Sequence, residues 1–168
     1  VVRWSLVSTI FLLLIIWSPG PLMGYHGQLR TTVYPSEFET VRADLLTTSG
    51  AKVLALPWHS YIGCNWMGRP TISNPIKWLL WWVHVVSSDN IEVANILYSN
   101  SSDTESQIVE NFIRSSEHSI VPLQERGFTH IILMEGCAGS DTYKWLDTID
   151  SCQKASSSKA HTLYDCSR

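Results

Sequence analysis

Residues 52–57 read KVLALP, a short apolar run just after Gly50, with the length and setting of a buried strand. The run leads directly into Trp58-His59-Ser60-Tyr61, so a histidine and two aromatic residues sit at the carboxyl end of that strand. A second run, Phe128–Met134 (FTHIILM), reads as the other clear core strand. Two such strands separated by some 70 residues, with helical patterns around them, point to an α/β domain.

Working outward, Ser36 and Glu39 have the spacing of a capping box, and Phe38, Val41, Leu45 and Leu46 share one face of the helix they open. Gly50 closes that helix in C-cap fashion. Asp103 caps a helix over about 104–116, with Ile108, Val109, Phe112 and Ile113 inward. Ser140-Asp141 caps another over about 141–150, carrying Tyr143, Trp145, Leu146 and Ile149. The stretch Cys64–Pro75 reads as loop, and Asn90–Ser99 as a further strand. Residues 76–86, IKWLLWWVHVV, are too short to cross a bilayer. Pro75 before them and the valines at their end favour a strand. The alternative is an interfacial segment with Trp78, Trp81 and Trp82 at headgroup level. KASSSKA at 154–160 reads as a solvated linker, and His161–Tyr164 as a short edge strand.

The N-terminus is of another kind. From Trp4 to Trp17 the sequence is WSLVSTIFLLLIIW, whose polar members are only Ser5, Ser8 and Thr9. Ser18-Pro19-Gly20-Pro21 then ends any helix. A signal peptide would carry a small-residue cleavage site, and a buried soluble helix would show a polar stripe. The run has neither, so it reads as a transmembrane helix with a tryptophan near each end. Arg3, the lone charge before it, places the rest of the chain outside the cytoplasm. The chain begins at Val1, and its first residues look like the inside of an apolar segment, so the sequence reads as a C-terminal fragment. The expected organisation is a transmembrane helix over 1–20, a linker over 21–35 and a small three- to four-stranded α/β extracytoplasmic domain over 36–153. A C-terminal linker with the candidate edge strand covers 154–168.

Twelve basic against 15 acidic residues give a net charge of −3, without a basic block, which argues against nucleic acid as a partner. Charged residues are only 16% of the chain and tryptophans number eight, as expected of a chain partly in or against a bilayer. The six histidines lack HxH or HxxxH spacing and the four cysteines lack CxxC spacing, so no metal site and no cofactor is expected. If the domain lies outside, disulfides are allowed, with Cys137–Cys152 or Cys152–Cys166 as candidate pairs and Cys64 left open. Asn100-Ser101-Ser102 fits a glycosylation acceptor. The loop 135–141, EGCAGSD, lies between a strand and a helix and reads as an ordinary connection rather than an anion cradle. His59 at a strand's end could serve a ligand with Tyr61 beside it, but one histidine without an acid or nucleophile makes no catalytic set.

The order of landmarks SPGPLMGYHGQL, YPSEF, KVLALPWHSYIG, ISNPIKW, SSDNIEV, FTHIILMEG and DTYKWL resembles the C-terminal part of polytopic membrane proteins of the GT-C glycosyltransferase-like type. There a last transmembrane helix feeds a small extracytoplasmic domain with a strand-Pro-Trp-His-x-Tyr segment and a downstream Asn-Pro. The resemblance implies an integral membrane parent that transfers sugar from a lipid-linked donor, with its catalytic acid in an early loop. On that basis this fragment alone is not catalytic. Trp58, His59, Tyr61, Asn74 and Pro75 match the domain's pattern, and the first four are the candidate ligand-binding residues. The WLLWW stretch and the cysteines depart from that pattern. The implied partners are membrane lipid and a lipid-linked sugar or glycan. The alternative is a non-catalytic, membrane-anchored binding or structural module of the cell envelope.

Overall fold

A computed structural model of the chain describes residues 4, 7–9, 12–13, 32–68, 71–93, 96–99 and 103–167, with the backbone alone for 91–99. The chain divides into two units, Val1–Val33 and Tyr34–Arg168. In the first, Trp4, Val7, Ser8, Thr9, Leu12 and Leu13 are helical and exposed. Most of the expected span 1–20, the linker to residue 31 and the Asn100-Ser101-Ser102 acceptor lie outside the described residues. Among the described residues no helix is long and apolar enough to cross a membrane.

The second unit is a mixed α/β fold. Helix α1 (Glu37–Thr47) buries Phe38, Val41 and Leu45 at i, i+3 and i+7, whereas Leu46 stays exposed. Strand β1 (Lys52–Leu56) comes next, then a short pair, β2 (Tyr61–Ile62) with β3 (Ile72–Ser73), enclosing a 3₁₀ turn at Asn65–Met67. Helix α2 (Ile76–Leu79) leads to β4 (His84–Val86), and β5 (Ile91–Val93) and β6 (Ile96–Ser99) form a separate hairpin. Helices α3 (Thr104–Arg114) and α4 (Val121–Gln124), strand β7 (His130–Met134), a 3₁₀ helix (Ser140–Thr148), β8 (Gln153–Ser157) and β9 (His161–Asp165) complete the order.

The main sheet runs β4-β1-β7-β9-β8, with β4, β1 and β7 parallel and β9 and β8 added antiparallel. Alternation along each central strand supplies two cores. Val53, Ala55, Ile132, Met134 and Leu163 face α1 and α2, where Phe38, Leu45, Ile76 and Leu80 cover them. Leu54, Leu56, Ile131, Leu133 and Tyr164 face the opposite layer, where Val109, Phe112, Leu123 and Leu146 pack. Helices therefore cover both faces, as a parallel core requires.

Three expectations are corrected. The main sheet has five strands rather than three or four, because 153–157, which runs into what reads as a linker from 154, is β8. As the outermost strand it is largely exposed, so it carries no apolar signature. His161–Asp165 is accordingly an inner strand, paired on both sides and almost wholly buried. Residues 76–79 are helical, with only 84–86 in a strand. Ile76, Leu79 and Leu80 are buried while Lys77, Trp78 and Trp81 are exposed, a helical spacing with Pro75 at its favoured place near the start.

Candidate functional site

β1 lies at the centre of the parallel part of the sheet. The chain leaves β1 over one face to reach β4, and returns over the other face to β7 on the far side of β1. The carboxyl ends of β1 and β7 therefore flank a topological switch point, where open α/β sheets place ligand sites. The loops that meet there are 57–60 and 135–140.

The first loop opens with a cis Leu56–Pro57 bond. Trp58 is buried, and its backbone N–H donates to the Tyr143 hydroxyl at 3.1 Å. Its indole Nε1 has no hydrogen-bond partner among the described residues. His59 is half-buried, with its Nε2 3.8 Å from where a Cβ on Gly139 would stand. Gly139 has a φ of 81°, which a side chain would strain, and the histidine edge closes over it. Asn74 fixes this loop from below. Its Nδ2 donates to the His59 carbonyl at 3.0 Å, its Oδ1 accepts from the first helical amide, Ile76, at 3.1 Å, and its N–H donates to the Ser60 carbonyl at 2.8 Å. The Ser60 hydroxyl lies against the carbonyls of Ser88, at 3.1 Å, and Asn90. Asn90 in turn donates from Nδ2 to Glu110 at 2.8 Å.

Of the four candidate ligand residues, the fold holds Trp58 and His59 in one loop and braces it with Asn74 from the segment between β3 and α2. Tyr61 turns away, 54% exposed on β2. The 135–140 loop is engaged internally. Ala138 N–H donates to Gly63 O at 2.8 Å and Ser140 N–H to Cys137 O at 3.0 Å, while the Asn65 amide holds Gly136 O at 2.9 Å. Cys64–Cys137 pins the segment just after β2 to the 135–140 loop, and Cys152–Cys166 ties the end of the 3₁₀ helix region to the tail of β9. Cys137 thus pairs with Cys64, not with Cys152. Among the described residues no group of three His, Cys, Asp or Glu side chains could hold a metal.

A groove of about 650 Å³ lies between α1 and α2, a feature the linear sequence does not mark. Tyr34, Trp78 and Trp81 line it with Phe38 at the base and Glu39 and Arg42 along the side. Tyr34 and Trp78 rings are 5.6 Å apart, and the Arg42 guanidinium rests over Trp81 at 5.0 Å. Tyr34 and Arg42 lie eight residues apart and their tryptophan partners some 40 further on, so the groove is visible only after α1 and α2 pack. The helical spacing of WLLWW was the one signal that could have found it.

The α/β architecture and its braced switch-point loop define the class of the domain. No family model, curated protein or solved structure matches the chain.

Proposed function

We propose that residues 34–168 are the extracytoplasmic accessory domain of a glycosyltransferase-like membrane protein, anchored by a helix over 1–20, and that the domain binds or positions a glycan or lipid-linked sugar. The observation that carries this reading is the groove between α1 and α2. Tyr34, Trp78 and Trp81 offer aromatic faces, with Glu39 and Arg42 beside them. A sugar ring has an apolar C–H face and a rim of hydroxyls, so aromatic faces next to charged hydrogen-bonding groups meet both parts. The engagement of all four cysteines in two disulfides supports an oxidising compartment, hence the outer side. In this reading the bond-forming chemistry belongs to another part of the parent, and residues 34–168 hold substrate.

The test is binding by the full chain in lipid nanodiscs. A polyprenyl-phosphate-linked hexose and the matching free oligosaccharide are titrated, with tryptophan fluorescence and calorimetry as readouts. Trp78→Ala and Arg42→Ala should each weaken binding about tenfold or more, roughly 1.4 kcal/mol. Affinity unchanged from the parent chain in both variants, or no binding of either ligand by a folded chain, would remove the glycan reading and favour the structural module of the envelope.

A further inference from the structure

Trp82 lies just beyond α2 at the corner before β4, outside the groove. Its backbone has a φ of 72° and its side chain is 80% exposed. The left-handed region is unfavourable for a large side chain, and glycine is the residue expected there. Among the described residues its indole adds nothing to either core and its one ring contact is Trp81, 5.5 Å away and itself 50% exposed. The domain thus holds two adjacent indoles outward, one of them on a disfavoured backbone. Contact with a partner outside the domain would offset that cost.

We infer that Trp81 and Trp82 form a tip that seats the domain in the interfacial layer of a lipid bilayer. Indoles favour that layer, where the ring is half-desolvated and the N–H stays wet. The covalent path supports lipid as the occupant. The chain enters the domain at Tyr34, whose ring lies against Trp78 one helical turn before Trp81. The apolar run ends at Pro19, and the roughly 15 residues to Tyr34 reach at most about 50 Å when extended. Arg42, over the Trp81 ring, has no carboxylate partner among the described residues and is free to meet headgroup phosphates. This inference rests on the anchored reading above, and it would open the groove toward the layer where a lipid-linked sugar resides.

The experiment uses the full chain with Trp4→Phe and Trp17→Phe, reconstituted in phosphatidylcholine vesicles containing lipid brominated near the headgroup. Quenching of the remaining tryptophans by bromolipid is expected, and Trp81→Ser with Trp82→Ser should cut it by at least about half. Trp82→Gly should lose part of that quenching while its thermal midpoint stays equal or rises. A fall in midpoint would overturn the argument, because Trp82 would then be supporting the fold. Retention on vesicles after alkaline extraction reports the anchor separately: a chain that washes off retires the anchored reading. An anchored chain whose tryptophans answer to aqueous iodide and not to bromolipid retires the seating alone. Protection from both quenchers, with cross-linked dimers, would assign the tip to a second copy and likewise overturn it.

Discussion

Asn74 shows how one side chain sets the position of another. Its amide serves the His59 carbonyl and the first amide of α2 at once, so Asn74→Ala frees both ends of the loop. The expected loss is about 1–2 kcal/mol in urea denaturation. Tyr143→Phe removes the acceptor of the buried Trp58 N–H and should cost about 1–3 kcal/mol. An unchanged midpoint in either variant would mean that water replaces the lost partner. Two buried histidines couple the fold to pH. Desolvation lowers the pKa of His130 against the pull of Asp165, and that of His161 against Glu37 and Glu135. His130 also meets Thr129, and His161 meets Ser156, Ser158 and the Phe38 ring. Because the folded values are depressed, the unfolded chain binds more protons as the pH falls through its own value of about 6.5. Stability should therefore be complete above that pH and decline below it, by at most about 1.4 kcal/mol per pH unit for each ring. Denaturation midpoints measured across that range check the slope, and His130→Gln with His161→Gln should flatten it. At this scale the sequence marks Trp58-His59 because a strand end is a local signal. The bond from the Trp58 amide to the Tyr143 hydroxyl stays hidden, since the two residues are 85 apart in sequence.

The elements differ in how far local chemistry decides them. Asp103 accepts from the Ser106 amide at 3.3 Å, as the cap of an amphipathic helix should, and α3 was legible with its inward Val109 and Phe112. Ser36 stands at the matching place before α1, yet it has helical backbone angles and makes no side-chain cap bond. Its capping box is written in the sequence but not formed. Asp103→Ala should therefore cost about 1 kcal/mol, while Ser36→Ala should change stability by only a few tenths. Comparable losses from the two would show that Ser36 caps in solution. The last helical segment is 3₁₀ rather than α, and Gly139 stands at its N-cap without a side-chain bond. Its apolar residues Tyr143 and Leu146 were recognisable, because burial at a spacing of three suits both helix types. β8 and α2 were misread for opposite reasons. One is a strand with too little apolar content, and the other is a short helix between Pro75 and a valine-ended run, both of which favour a strand.

For the molecule as a whole, the α/β class was legible because β1 and β7, two adjacent inner strands, are short apolar runs with helical patterns around them. The groove, the switch point and the Cys64–Cys137 pairing were not, since each depends on chain segments brought together from afar, whereas Cys152–Cys166 was one of the candidate pairs. The cross-links differ in reach. Cys152–Cys166 closes a separation of 14 residues and Cys64–Cys137 one of 73. Loop-closure entropy predicts about 3 kcal/mol for the first and about 4 for the second. Cys64→Ser with Cys137→Ser should therefore lower the denaturation midpoint more than Cys152→Ser with Cys166→Ser, and the reverse order would argue against an entropic origin. One edge of the sheet bears on how copies behave together. β8 ends the sheet with lysine and serines, mostly exposed, and its rungs slip between Lys154 and Ser156. Such a border is a poor rail for a neighbour's strand, because charge and an irregular ladder oppose further pairing. Many copies crowded side by side on one surface would then resist zipping into fibrils, a protection contributed by the very residues that look like a linker.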